Sequence, residues 1–464
     1  MQSVLGQKRK NPALQQINTL VAGVDIGSTS HIIAISADLD EKNVREISAF
    51  TGDLQNAACW LKSKGIQSVA MESTGVYWIP FYEILEANGI EVLLVNARHV
   101  KNVPGRKSDV LDCQWIQQLH SYGLLRGAFR PSGEFCSLRS FMRQRSMLVA
   151  EEASFKLRMQ KALTQMNLHL HNVISDITGE TGLKILRNIV TGETDPRRLS
   201  SYRTERFKCS RAEMEKSLTG NYRSEHVFAL KQSLDLYDFY QVKIRECDEA
   251  IEKTLDMIAQ EIPLCNDAEL PPSENRRKRR KNELHFDAQS SLRKLTGVDL
   301  TKIDGLEEHS VLKIVSEVGV DMNKWPTAKH FCSWLGLAPG TKISGGKMLS
   351  SRTKKCKNKA ALVFRMAAYT LNRSKSALGA FLRRKKAQLG APEAITATAH
   401  KIARVFYAML KEKTPYQDPG ADYYEHKFQD RTLKKLALRA ESLGYTLVKN
   451  QPPTLDSKLE ICAI

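Results

Sequence analysis

The sequence predicts an α/β domain at residues 20–130, followed by a long helical insertion and an all-α C-terminal domain. Two observations predict the first domain. Apolar runs rich in β-formers flank Gly27-Ser28-Thr29, as in a hairpin, and strands then alternate with helices, as in a mixed sheet. A third observation predicts the helical part: residues 134–174 contain neither Gly nor Pro, and their apolar residues recur at helical spacing.

Apolar periodicity and turn residues divide the α/β domain into short elements after an N-terminal tail at 1–19. In chain order, the predicted elements are a hairpin within 20–37, a strand near Val44–Thr51, a helix at Asp53–Lys64, a strand at Ile66–Met71, a helix at Tyr77–Ala87 and a strand at Glu91–Val95. Asn88-Gly89 is a typical C-terminal cap for the second of these helices.

Residues 131–262 are predicted to form a helical stalk. The helix at 134–174 is unusually long for a compact domain, and a second long helix is expected at 226–260. The two helices could pair as an antiparallel coiled coil, across a segment at 176–225 that is expected to be only partly ordered. The alternative is that both helices fold onto one core.

A basic linker at 263–288 separates the stalk from the C-terminal part. It contains Pro271-Pro272 and then a run of cations that is either a solvated loop or a phosphate-binding segment. The candidate nucleic-acid contacts in this run are Arg276, Arg277, Lys278, Arg279 and Arg280. A helical domain is expected at 289–415, and a tail at 416–464 includes a short amphipathic helix at Asp430–Leu443.

Composition restricts the class of protein. The formal net charge is +19, from 70 Lys and Arg against 51 Asp and Glu, and such a charge attracts polyanions. Nine cysteines without a C-x-x-C pair argue against a structural zinc site and a disulfide framework. No apolar run reaches the roughly 18 residues of a membrane span, so a cytoplasmic protein with no membrane partner is expected.

Four acidic residues are spaced as in a metal-dependent nuclease. Asp25 ends the first strand and Glu72 ends the strand IQSVAM, and strand ends are where open α/β sheets form their sites. Asp109 and Asp112 are three residues apart at the start of one predicted helix, so they share a face.

Each of these acids also has a plain structural explanation, as a turn former, a strand end or a helix start. The set is more specific than any member, because converging carboxylates supply the hard oxygen ligands that Mg²⁺ (or Mn²⁺) requires. Two such ions can hold the attacking and leaving oxygens of a phosphoryl displacement.

A second pattern lies in the C-terminal domain, where no acidic residue occurs between Asp321 and Glu393. Within this stretch, Ser344 precedes Gly345-Gly346 in the segment Pro339–Lys347, which is predicted to be irregular. Glycines let a backbone approach phosphate closely. Alone, a Ser-Gly-Gly sequence is usually a flexible turn. The candidate phosphate-binding cations around it are Lys347, Arg352, Lys354, Lys355, Lys357 and Lys359.

Together these motifs resemble the DEDD transposases of the insertion-sequence one-ten family, the bridge-RNA-guided recombinases. The resemblance covers residues 20–410 and rests on GVDIGSTSHIIAI, AMESTGVYW, NARHVKNVPGRKSDVLDCQWI and WLGLAPGTKISGGK. It implies a RuvC-like (RNase H-like) domain, a coiled coil and a C-terminal transposase domain with a serine loop.

The resemblance also implies a mechanism and partners. Asp25, Glu72, Asp109 and Asp112 would hold Mg²⁺, and Ser344 would form a covalent phosphoserine bond with DNA. The serine of one subunit would complete the acidic site of another, so a dimer or tetramer is implied. A structured guide RNA would select donor and target DNA, in the nucleoid of a prokaryotic cytoplasm.

Other classes of function compete with this one. A RuvC-like junction nuclease would use the acids and metal-bound water but not Ser344. GVDIGSTS also resembles the phosphate loop of actin-like or sugar-kinase ATPases, although no second phosphate loop follows it. A nucleic-acid-binding protein without catalysis is the third alternative.

Overall fold

The computed structural model describes residues 15–95, 109–261, 282–354, 356 and 358–448, except for the side chains of 109–111 and 261. The chain divides into two compact units, at 1–130 and 131–464. Residues 263–281 of the predicted linker, which include its basic run, and the end of the tail lie outside the described residues.

The first unit is built on a five-stranded mixed sheet. Its strands are β1 (Val21–Ile26), β2 (Ser30–Ala34), β3 (Val44–Ser48), β4 (Ser68–Glu72) and β5 (Glu91–Val95). Their spatial order is β3-β2-β1-β4-β5; β1 pairs antiparallel with β2, and β2 with β3, while β1, β4 and β5 run parallel. This architecture confirms the predicted mixed α/β sheet and is compatible with a RuvC-like fold.

Three helices cover the two faces of this sheet. They are α1 (Thr51–Ser63), α2 (Trp78–Ala87) and α3 (Asp109–Ser121). Leu54 and Leu61 of α1 and Phe81 of α2 share one buried cluster with Val24 and Met71 of the sheet. Helix α3 covers the opposite face, where its Ile116 packs with Ala70 and Val95. The sheet is therefore buried on both sides, as its continuous apolar strands predict.

The second unit is almost entirely helical. Its helices are α4 (Gly133–Gln165), α5 (Leu170–Val173), α6 (Glu180–Val190), α7 (Pro196–Ser200), α8 (Arg211–Ser217), α9 (Ser224–Glu261), α10 (Ala288–Thr296), α11 (Glu308–Val318), α12 (Ala328–Trp334), α13 (Lys359–Thr370), α14 (Ala377–Leu389), α15 (Ala391–Glu412) and α16 (Gly420–Ser442). Two short strands, β6 (Lys342–Ser344) and β7 (Lys347–Ser350), complete it.

The two long helices α4 and α9 pack side by side in opposite directions. Arg145 contacts Asp248, and ten residues later in α4 the ring of Phe155 lies 5.4 Å from that of Tyr240. Helix α4 ends at Gln165 instead of continuing to residue 174, because the chain turns at Asn167 with φ of 58°. The segment expected to be only partly ordered forms α6 to α8, which bury apolar residues in the same cluster as α4 and α9.

The C-terminal helices surround a separate aromatic core. Phe331 of α12 packs beside both Phe364 of α13 and Phe406 of α15, with ring centroids 6.4 and 6.5 Å away. The amphipathic helix predicted at 430–443 is longer than expected: α16 begins at Gly420 and none of its residues is fully buried. In the part of the chain that the structure describes, no helix combines the length and apolar character needed to cross a membrane.

Candidate functional site

Asp25 and Glu72 lie on neighbouring parallel strands of the first unit. Val24 of β1 is paired with Met71 of β4, so the next residues along the two strands are the two acids. Gly23 and Ala70, each two residues earlier, face α3, and alternation along a strand points Asp25 and Glu72 to that same face. Asp25 is partly exposed, whereas Glu72 is 9% exposed.

Helix α3 lies across this face and runs opposite to β1 and β4. The backbone N–H of Ile17, just before β1, donates to the carbonyl of Ser121 at the end of α3, at 2.8 Å. At the start of β4, Ser68 Oγ lies 3.0 Å from His120 Nε2, and Ala70 packs with Ile116.

These two contacts fix where the acids of α3 lie along the strand. Four helical residues advance about 6 Å, and two strand residues advance about 6.6 Å. His120 lies beside Ser68, and Ile116, four residues earlier in α3, lies beside Ala70, two residues later in β4. Another four residues back along α3 and two residues forward along β4 place Asp112 at the level of Glu72. The start of α3 therefore meets the C-terminal ends of β1 and β4. We call Asp25, Glu72 and Asp112 at this place the acidic edge.

The electrostatics of Cys113 agree with this placement. Burial and, to a smaller extent, the negative charges of Asp25 and Asp112 raise the pKa of its thiol to about 12. Both carboxylates thus act on the same buried thiol, from β1 and from α3. Cys113 stays a neutral thiol at physiological pH and is not suited to act as a nucleophile.

The donor chemistry of the acidic edge fits a hard divalent cation, since carboxylate oxygens are the ligands that Mg²⁺ prefers. The side chain of Asp109, the first residue of α3, lies outside the described residues. Among the side chains that are described, no group of three or more His, Cys, Asp or Glu could hold a metal ion. Near Glu72, the Thr74 hydroxyl donates to Oε1 at 3.1 Å.

Ser344 lies in the second unit, on a hairpin that the sequence failed to predict. The segment Pro339–Lys347 was expected to be irregular, but β6 and β7 pair antiparallel, with Ser344 opposite Lys347. The prediction was wrong because glycines that break longer elements also suit a two-residue hairpin loop. Gly345 and Gly346 form that loop with φ of 54° and 75°. Ser344 is exposed at the end of β6.

Basic side chains continue from this hairpin. Lys347, Arg352, Lys354 and Lys359 are exposed, and the backbone N–H of Gly340 donates to the carbonyl of Arg352 at 3.0 Å, which closes the base of the hairpin. Two further candidates, Lys355 and Lys357, lie outside the described residues, as do Arg276, Arg277, Lys278, Arg279 and Arg280.

Sequence reasoning missed the residues that position the acidic edge. Gly23 lets α3 approach the sheet, and the Ser68–His120 contact fixes the register between helix and strand. One signal was present in the sequence: Gly23 interrupts an apolar strand, where glycine often marks a close backbone approach.

Two protein-family models match the chain. Residues 22–168 match a model of the DEDD transposases of IS110, and residues 298–383 match a model described as the transposase IS116/IS110/IS902 family. The first range includes the four acids of the predicted metal site, and the second includes Ser344. A comparison with curated proteins gave no match.

Proposed function

Because the chain belongs to the IS110 family of DEDD transposases, which move DNA segments, we propose that it recombines DNA through a phosphoserine intermediate at Ser344. The observation that supports this best is the acidic edge, where Asp25 and Glu72 end neighbouring parallel strands and the start of α3 brings Asp112 to their level. The exposed position of Ser344, beside a tight loop and among cations, supports the role of its hydroxyl.

In this proposal the acidic edge is the metal-binding part of the site. Asp25, Glu72, Asp109 and Asp112 would hold Mg²⁺ or Mn²⁺. When bound, such an ion stabilises negative charge on a reacting phosphate. The carboxylates are attached to two strands and a helix, so the sheet and α3 would set the place of the cation, and the cation that of the DNA phosphate.

Ser344 would act as the nucleophile. Its Oγ attacks phosphorus, one P–O bond of the DNA backbone breaks, and the departing DNA oxygen takes up a proton as the serine hydroxyl loses one. A DNA hydroxyl then attacks the phosphoserine, which restores the serine and forms a new backbone bond. Each step breaks one phosphoester bond and forms another, so the reaction needs no external energy source.

The proposal includes further partners. Donor and target DNA are the substrates, and a structured bridge RNA selects both. The exposed Lys347, Arg352, Lys354 and Lys359 would contact phosphates, as would Lys355, Lys357 and the basic run from Arg276 to Arg280. The enzyme acts as a dimer or tetramer in which the serine of one subunit works with the acids of another, on the nucleoid of a prokaryotic cell.

The first test concerns the covalent intermediate. Ser344→Ala should abolish protein–DNA adducts that survive denaturing electrophoresis, and strand transfer with them. Ser351→Ala is the matched control, since it removes a hydroxyl from the same exposed basic stretch, and it should retain both. Mg²⁺-dependent cleavage by the Ser344→Ala protein, without an adduct, would instead support the second candidate, a RuvC-like junction nuclease.

The second test asks whether the acids of the proposed metal site are required for strand transfer. Asp25→Asn or Asp112→Asn should remove metal-dependent strand transfer while nucleic-acid binding remains. Asp38→Asn, an exposed acid in the same unit, should be active.

A mixture of Ser344→Ala and Asp25→Asn proteins should regain activity if the serine of one subunit works with the acids of another. A mixture without activity would contradict that arrangement.

A further inference from the structure

A cavity of about 280 Å³ lies between α14, α15 and α16, far along the sequence from the acids and from Ser344. Four aromatic side chains line it: Tyr416, Tyr423, Tyr424 and Phe428. Tyr423 is 52% exposed at its edge, so a ligand can reach the rings. The cavity is near the lower end of the range for small-molecule sites, and is too small for a helix or a folded segment.

Cations make up the rest of its polar lining. Lys401, Lys427 and Arg431 line the cavity, and no carboxylate of the described residues does. Burial lowers the pKa of Lys401, and the positive charges of Arg431 and Arg404 lower it further. Three cations held close together, one of them partly buried, favour an anionic ligand because it relieves their mutual repulsion.

Asp418, next to the cavity, is already engaged in hydrogen bonds within the protein. The carboxylate of Asp418 accepts hydrogen bonds from the backbone N–H of Ala377 at 3.1 Å and of Gly420 at 3.2 Å, and from the hydroxyl of Tyr416 at 3.1 Å. These bonds tie the start of α16 to the start of α14 and fix the frame of the cavity. The charge of Asp418 also acts on Lys401 and raises its pKa, but burial and the neighbouring cations outweigh it, so the net pKa is lowered.

The rings and cations are arranged for joint recognition. Lys401 Nζ lies 5.2 Å from the centroid of Tyr424, and Lys427 Nζ lies 5.2 Å from that of Tyr423. These cations lie over the rings, as does Arg384 over Phe428 at 3.4 Å, so a flat anionic group that enters the cavity would meet aromatic surface and positive charge together. Aromatic faces beside a basic groove are the combination that proteins use to stack unpaired bases and hold their phosphates.

We propose that this cavity binds one unpaired nucleotide of a single-stranded nucleic acid, with the base against the aromatic rings and its phosphate on Lys401, Lys427 and Arg431. A base inside a duplex cannot enter, since its faces are covered by neighbouring bases. The site thus selects single-stranded segments or ends. The inference takes from the proposed function only that nucleic acid is the partner.

Binding by the full-length protein tests the proposal. Fluorescence anisotropy should show that Tyr423→Ala weakens binding of a labelled oligo(dA) or oligo(A) by about 5- to 150-fold, the usual effect of removing one stacked base. Lys427→Ala should weaken the same binding and reduce its salt dependence. Binding of a duplex of the same length should change less than twofold in both variants. The comparison of oligo(dA) with oligo(A) tells whether DNA or RNA occupies the site.

Matched controls exist on or next to the same helix. Tyr445→Ala removes a tyrosine that is 73% exposed just beyond the end of α16, and Lys435→Ala removes an exposed lysine of α16 that does not line the cavity. Both should bind as the unaltered chain does. Ser344→Ala should also bind single strands normally, so loss of catalysis and loss of this site can be told apart.

Photocrosslinking gives a readout that does not depend on a variant. Oligonucleotides containing 5-iodouracil should crosslink to the peptide of Tyr423, Tyr424 or Phe428, and excess duplex should not suppress the crosslink. The proposal is overturned if Tyr423→Ala and Lys427→Ala both bind single strands as tightly as the unaltered chain. It is also overturned if crosslinks avoid α16, or if a poly-glutamate peptide, and not an oligonucleotide, depends on these residues.

Discussion

Gly23 of β1 lies directly against the backbone of Gln117 in α3. A Cβ atom built on Gly23 would be 2.3 Å from the Gln117 nitrogen and 2.3 Å from the Cys113 carbonyl oxygen, distances that no real side chain tolerates. The absence of a side chain at this one position lets the helix rest on the strand. Because the two backbones touch here, the start of α3 with Asp112 reaches the end of β1 with Asp25.

Gly23→Ala should therefore push α3 away from the sheet. Overpacking typically costs about 1–3 kcal/mol, and a backbone obstacle cannot rotate aside, so we expect a lower melting temperature and loss of metal-dependent strand transfer. Gly52→Ala is the matched control, because nothing lies within 4 Å of its added Cβ and Ala suits helix α1 better by roughly 1 kcal/mol. Equal behaviour of the two variants in thermal unfolding would contradict this role for Gly23.

The elements of the first unit could be predicted because each is defined locally. The strand at Glu91–Val95 has the predicted bounds, and the helix predicted at Tyr77–Ala87 begins one residue later at Trp78 and ends as predicted, since apolar periodicity and a Gly cap determine them. The placement of Asp112 beside the ends of β1 and β4 depends on how α3 lies on the sheet, which is set by contacts such as Ser68–His120 and Gly23–Gln117 between residues about 50 to 95 positions apart. No local pattern encodes such contacts.

Two features of the second unit differ from the sequence predictions because they depend on contacts with other elements. Helix α4 ends at Gln165 because a turn at Asn167 lets Leu168 and Leu170 join the buried cluster shared with α9. The hairpin of Ser344 needs the pairing of two strands of only three and four residues. Runs this short have too few alternating positions to be recognised before the partner strand is known.

The loop of that hairpin gives a second prediction. Both glycines have positive φ, which costs other residues roughly 1–2 kcal/mol, more for β-branched ones. Gly345→Val should distort the loop, displace the neighbouring Ser344 and reduce adduct formation by at least tenfold, while nucleic-acid binding persists. Gly345→Asn should retain most activity, because Asn-Gly suits a two-residue hairpin loop. A fully active Gly345→Val protein would show that the loop geometry is irrelevant to Ser344.

A third prediction concerns the buried ion pair that joins α4 and α9. Arg145 and Asp248 are each 1% exposed, and Arg145 also donates to the carbonyls of Asn282 and Glu283, both at 3.2 Å. Asp248→Ala would leave a guanidinium buried without its counter-charge, which typically costs about 3–5 kcal/mol. Chemical denaturation should show this loss.

The exposed pair Arg187–Asp238 provides the comparison for that experiment. Its side chains are 53% and 44% exposed, although its contact distance is 3.0 Å. Asp238→Ala should cost less than about 1 kcal/mol, because solvent screens the pair. A similar cost for both substitutions would mean that burial does not determine the contribution of the Arg145–Asp248 pair.

The exposed cations after the hairpin predict a change in salt dependence. Each phosphate that a protein neutralises adds about 0.7–0.9 to the slope of log affinity against log salt. If Arg352 and Lys354 each contact one phosphate, replacing both by Ala should lower the slope by about 1.4–1.8. Lys42→Ala, an exposed lysine of the first unit, should leave it unchanged. An unaltered slope in the double variant would remove these two side chains from the interface.

The last prediction follows from His309 of α11. Its Nε2 is buried and has no hydrogen-bond partner among the described residues. Burial lowers the pKa of this histidine to about 3, and the charges of Lys313 and Arg145 contribute to the decrease. In the unfolded chain a histidine has a pKa of about 6.5. Between these two values the unfolded chain binds one more proton than the folded chain, so stability falls as the pH falls below about 6.5.

At pH 5.5 this effect amounts to about 1.4 kcal/mol relative to pH 8. His309→Gln cannot bind the proton in either state, so the gap between its melting temperatures at pH 8 and pH 5.5 should be narrower by about 2–4 °C. The other histidines with lowered pKa values, His31, His120 and His400, are present in both proteins and cancel in the comparison. An identical gap in the two proteins would mean that His309 is protonated in the folded chain or is accessible to solvent.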